Sequence, residues 1–127
     1  MAVPGEFDGA EADRLVPTAP SRLAVRSVGR IRFVRTTEID WIEATDHYSK
    51  LHLGDRSFLV RESMTSLEGK LAPRRFVRIH RSSIVNVERV REIRTRHSGG
   101  HTVILHDGTR LRLSRSRRGA LRSLLPR

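Results

Sequence analysis

The sequence has no cysteine. That removes a disulfide framework, a thiolate zinc site and a cysteine nucleophile together. Long apolar runs are also missing. None approaches the ~18 residues a membrane helix requires, so no membrane span is expected. Aromatic residues make up 5% of the chain, few for a surface that stacks single-stranded bases. There is no G-x-S-x-G and no P-loop pattern, and Glu68-Gly69-Lys70 alone carries nothing. The six histidines show no metal-ligand spacing. His97 and His101 straddle Gly99-Gly100, so the histidines read as turn and surface residues, with no metal and no cofactor expected. The N-terminus lacks a signal-peptide pattern, because Glu6, Asp8, Glu11 and Asp13 stand where a basic and then an apolar stretch belongs. A cytoplasmic location is expected.

What is present is arginine. The chain carries 25 Lys and Arg against 14 Asp and Glu, a net charge of +11, and only Lys50 and Lys70 are lysine. Residues 1–20 hold four acids and Arg14, a local −3, which leaves +14 for the remainder. A basic domain of this size attracts polyanions such as DNA, RNA or an acidic membrane surface. Genome composition can favour Arg over Lys, but it does not explain the excess of bases over acids. Nothing in the sequence points to an enzyme.

Length fits one domain with a core of its own. Residues 1–20, with three prolines, two glycines and no apolar period, read as a disordered leader or linker. Residues 21–127 read as the ordered domain. Leu23–Val28 and Ile31–Arg35 flank a Gly29-Arg30 turn, with Ile31 and Phe33 on one face. Further strands are expected at Ile39–Ala44, Tyr48–Leu53, Ser57–Arg61, Val90–Arg94, His101–Leu105 and Thr109–Leu113, separated by Gly- or Asp-containing turns. Ser63 is placed to cap a helix in which Met64, Leu67 and Leu71 share a face before Pro73. Ser114 or Ser116 is placed to cap a last helix through Leu121, Leu124 and Leu125. Eight to ten short strands and one or two short helices make a mainly β, sandwich-like domain. No adjacent pair of helices exists to build a helix-turn-helix. Trp41 and Tyr48 read as core and packing residues.

Three stretches carry candidate chemistry. In Phe76–Asn86, two apolar runs frame Arg78, His80, Arg81, Ser82 and Ser83, which reads as a cationic turn held outward by two strands. Arginine's fixed donor fork suits phosphate or the O6/N7 edge of guanine. Arg81 is the expected base contact, with His80 as its support or a phosphate donor. Asn86 is expected to fix the backbone after the turn. In the turn Asp46–Lys50, His47, Ser49 and Lys50 offer donors, and an ordinary solvated hairpin explains it equally well. In Ser114–Arg118, Arg115, Ser116, Arg117 and Arg118 precede the last helix, and no acid follows Asp107. Ser hydroxyls and helix amides there would meet phosphate.

The pattern Phe76-x-Arg78-x-His80-Arg81-Ser82-x-x-Val85-Asn86 resembles the signature of LytTR (LytR/AlgR-type) DNA-binding domains of bacterial transcription regulators. The similarity extends over Leu23–Leu125. It includes Ile39-x-x-Ile42-Glu43-Ala44 with Tyr48, the Leu67/Leu71 helix face, and Leu105-x-Asp107-Gly108-x-x-Leu111-x-Leu113-Ser114-Arg115. The resemblance implies an elongated stack of small antiparallel sheets. It implies sequence-specific binding of double-stranded DNA by loops in successive major grooves, with bending, on imperfect direct repeats. It also implies contacts from the 46–50 turn, Arg81 and Arg115–Arg117, and a chain that is monomeric in solution and pairs on DNA. A general RNA or anionic-surface binder is the alternative reading. Members usually follow a receiver or membrane domain, which these 127 residues do not include. A stand-alone regulator controlled by a separate protein and a piece of a longer protein both stay open.

Overall fold

The computed structural model describes residues 21–125. The expectation of a disordered leader at 1–20 lies outside them, as do the last two residues. Ten strands form three antiparallel sheets. β1 (Arg22–Ser27) and β2 (Arg30–Arg35) make a hairpin. β3 (Trp41–Ala44), β4 (Ser49–Leu53) and β5 (Arg56–Val60) follow, then helix α1 (Met64–Lys70), β6 (Phe76–His80) and β7 (Ser83–Asn86). These five strands form the middle sheet in the order β5-β4-β3-β7-β6. β8 (Val90–Thr95), β9 (His101–Leu105) and β10 (Arg110–Leu113) form the third sheet, and α2 (Gly119–Leu124) closes the fold.

The middle sheet is buried on both faces because its strands alternate two apolar sets. In β6, Phe76 joins the core under the hairpin and α1, while Val77 and Ile79 join the core under the third sheet and α2. In β7, Ile84 and Val85 divide the same way, and all four residues of the strand are buried. A pleated strand puts neighbours on opposite faces, so only near-continuous apolar runs can lie between two layers. α1 begins where expected. The Ser63 hydroxyl accepts the Ser66 N–H at 3.0 Å, and Met64, Leu67 and Leu71 are buried.

Four local expectations are corrected. Ile31 and Phe33 do share a face, but it is the outer one, with Phe33 61% exposed. A two-stranded sheet buries one face only, and Leu23, Val25 and Val34 take it. Ser114 caps the 3₁₀ turn Arg115–Arg117, while α2 starts after Arg118 without a side-chain cap. Tyr48 is exposed in its turn and not part of the core. His52 is neither a turn nor a surface residue. It lies in β4, stacks on Trp41 with ring centroids 4.3 Å apart, and bonds Glu43 Oε1 at 2.8 Å.

Candidate nucleic-acid interface

Strand directions divide the molecule into two ends. β3, β6, β8 and β10 run toward one end, and β4, β7 and β9 start from it. The three sequence-predicted stretches all fall there. Two backbone hydrogen bonds join them. Ala44 N–H, at the start of the β3–β4 turn, donates to Ser82 O at 3.0 Å. Ser114 N–H, just after β10, donates to Ile79 O at 2.7 Å. The central turn is thus flanked on both sides by the other two stretches.

The central turn is shorter than the polar run suggested. His80 ends β6 and Ser83 begins β7, leaving Arg81 and Ser82 between them, and a register shift between Arg78 and His80 re-aims the strand end. Arg81 is exposed. Ser82 N–H donates to His80 Nδ1 at 3.1 Å, and the Ser82 hydroxyl lies 2.8 Å from the same nitrogen. Nδ1 is therefore the acceptor and Nε2 holds the ring proton of the neutral imidazole. His80 shapes the turn through one nitrogen and keeps a donor on the other.

Arg78 is placed differently from its expectation. Its side chain is 11% exposed and reaches sideways under the turn. One Nη donates to Thr65 Oγ1 and Glu68 Oε1, both at 3.2 Å, and the other donates to Arg81 O at 2.7 Å. The guanidinium fork ties α1 to the backbone of the central turn, so it holds Arg81 and is not itself turned outward.

Ser49 is also corrected. It is 1% exposed, and its hydroxyl donates to Glu62 O at 2.6 Å. β4 alternates buried and half-buried positions, and Ser49 occupies an inward one. His47 stays exposed and Lys50 is half-buried at the outward position. In the third stretch Arg115, Ser116 and Arg118 are exposed and Arg117 is half-buried. The Arg115 Nη donates to Ser98 O at 3.3 Å, which links this stretch to the β8–β9 turn. The six-residue α2 starts beyond it, so the expected helix-amide phosphate site does not form.

Sequence reading missed two contributors. The Arg96–Gly100 turn joins β8 to β9 at this same end, with Arg96 and His97 exposed. Arg61, just past β5, lines an open groove with His47, Tyr48, Thr65 and Arg78. Only the strand directions reveal both, since neither stretch has a distinctive spacing. Burial pushes the nearby Glu62 carboxyl upward, but hydrogen bonds from Lys70 and Ser66 with the Lys70 charge outweigh it and hold it below its usual range. That acid is already engaged, so it offsets little of the positive field. Among the described residues no cluster of metal-ligating side chains occurs, and no helix is long and apolar enough to cross a membrane.

The family model of the LytTr DNA-binding domain matches residues 29–126. The chain belongs to the LytTR family. It is 32% identical over 100 residues to the sensory transduction protein LytT of Bacillus subtilis, covering 78% of this chain and 42% of that protein. It is 39% identical over 72 residues to the CO-responsive transcriptional regulator RcoM of Rhodospirillum rubrum, covering 57% and 30%. The chain spans less than half the length of these curated relatives. A solved LytTr DNA-binding domain, from a putative methyl-accepting/DNA response regulator of Bacillus cereus, superposes with a TM-score of 0.75 at 23% identity. That match covers 86% of this chain and all of that one, and it supports the LytTR fold.

Proposed function

We propose that this LytTR domain binds double-stranded DNA sequence-specifically through the turns at this one end, as the DNA-reading part of a bacterial transcription regulator. The observation that carries the reading is the joining of the three cationic stretches by the Ala44–Ser82 and Ile79–Ser114 backbone bonds. Arg81 is the base contact, aimed by His80, Ser82 and Arg78. His47, Lys50, Arg115, Ser116, Arg117 and Arg118 meet phosphates or groove edges, while Ser49 and Arg78 hold the turns in place. Phosphate contacts supply affinity with counterion release, and the few base contacts together with DNA bending supply specificity. Two copies on direct repeats, control by a separate protein and a cytoplasmic setting belong to the same reading.

Selection of bound duplexes from a random pool at ~150 mM salt tests it, since screening there weakens charge-only contacts. Enrichment of a short motif repeated about one helical turn apart is expected. Binding without enrichment would contradict specific readout and favour a general RNA or anionic-surface binder.

A further inference from the structure

We propose that the tip of the β1–β2 hairpin is a fourth DNA-contacting element, in which Arg30, Arg32 and Lys50 hold a phosphate flanking the site read by the turns. The proposal rests on the DNA-binding reading of this end. Three observations carry it. The first is direction. β2 leaves the tip at Arg30 and ends at Arg35, beside the Thr36–Glu38 turn that leads into the start of β3. The tip therefore points toward the end where β3 finishes and the reading turns lie. Val28, Arg30 and Arg32 share one groove with Lys50 and Leu59, which are paired neighbours on β4 and β5. Lys50 directly follows the 46–49 turn, so the groove continues the proposed interface without a break.

The second observation is charge. Residues 21–35 contain five arginines and no acid. The nearest carboxylate by strand pairing, Glu43 opposite Lys50, is engaged with His52 Nε2 at 2.8 Å. Asp46 belongs to the reading turn, and Asp55 sits at the far end of β5. An anion in the groove would thus meet two guanidinium groups and an ammonium group.

The third observation is order. The Arg32 guanidinium lies over the Phe58 ring at 5.5 Å from its centroid. A guanidinium stacked on a ring keeps its in-plane N–H donors available. Gly29, at φ +79°, lets β1 turn back within two residues, which makes a narrow tip that can enter beside a duplex. Phosphate contacts of this kind position a protein and carry no sequence information.

The test compares Arg30→Ala/Arg32→Ala with Arg22→Ala/Arg35→Ala, which removes equal charge from the base of the same hairpin. Both are checked for an unchanged urea midpoint and titrated against a selected duplex and a scrambled one over a salt series. The tip variant should lower the slope of log K against log salt by about two, one per lost phosphate contact, equally on both duplexes. Its footprint should shorten on one flank while the selected motif stays the same. The base variant should keep the slope. An unchanged slope in the tip variant, or an equal drop in the base variant, overturns the fourth contact. A wild-type chain with no duplex binding at all sinks the functional reading instead.

Discussion

The two ends of the molecule are built from the same kinds of turn, yet they spend their polar groups in opposite ways. At the end opposite the proposed interface, charges and amides are used inward. Asp40 pairs with Arg89 Nε at 2.9 Å and accepts the Gly54 N–H at 2.7 Å. Arg89 also donates to Thr37 O at 3.2 Å. Asn86, fully buried, donates to Ile39 O at 2.8 Å and accepts the Glu88 N–H at 3.0 Å. Asp107 accepts the Thr109 N–H at 2.9 Å beside Gly108 at φ +93°. Glu38, Asp40, Asp55, Glu88 and Asp107 all lie at this end. At the interface end, Asp46 is the only acid in the described turns. There Arg81, Arg96, Arg118 and His47 are exposed. Polar groups satisfied within the chain fix the fold, whereas donors left outward are open to a polyanion.

Substitutions at the two ends should therefore separate stability from binding. The largest stability effect is expected from Asn86→Ala, which orphans a buried carbonyl and a backbone N–H and should cost about 3 kcal/mol by urea unfolding. Affinity per folded molecule should be kept. Arg81→Ala is the mirror case. It should leave stability within about 0.5 kcal/mol yet cost about 1–3 kcal/mol on a selected duplex, with specificity relaxed at one position. An equal loss on random DNA would make Arg81 a phosphate clamp and not a base contact.

Arg78 sharpens the contrast, because it is an inward group at the outward end. Arg78→Lys keeps the charge and loses the fork that spans Glu68 and Arg81 O. Discrimination between selected and scrambled duplexes should fall by about 1 kcal/mol, an amount typical of a lost hydrogen bond, while the salt slope stays constant. A lower slope with intact discrimination would place Arg78 on phosphate.

The smallest effect is expected at Asp107. The backbone N–H of Thr109, with its hydroxyl, holds this carboxyl below its usual range. A lowered folded pKa stabilises above the unfolded value and loses that contribution as pH falls through the folded one. Asp107→Asn should thus be weaker than wild type by at most about 0.5 kcal/mol near neutral pH, because solvent screens a mostly exposed carboxylate. The two should converge in acid, and a gap that widened there would contradict the assignment.

Much of this was legible in the chain. Apolar alternation and the Asp107-Gly108 and Ser98-Gly99-Gly100 turns placed the strands, and Ser63 placed α1. The spacing of Phe76, Arg78, His80, Arg81 and Ser82 marked the central turn. What failed depended on which face a second layer covers. Ser49 has the same local alternation whether it faces in or out, and it turns in because Glu62 O waits there. Ile31 and Phe33 looked like a core stripe because period two cannot say which face is buried. Arg78 looked like a groove contact until Thr65 and Glu68, more than nine residues earlier, were brought beside it. The Arg96–Gly100 turn joined the interface only through strand direction, a non-local property.

The absence of cysteine allows the central claim to be tested directly. A single cysteine introduced by Ser98→Cys at the interface end, or by Asp55→Cys at the opposite end, can carry a tethered iron chelate that cuts nearby DNA. With a selected duplex bound, the chelate at position 98 should cut at discrete sites within the footprint, and the one at position 55 should leave the duplex intact. Cutting from position 55 with none from position 98 would mean that DNA meets the other end of the molecule.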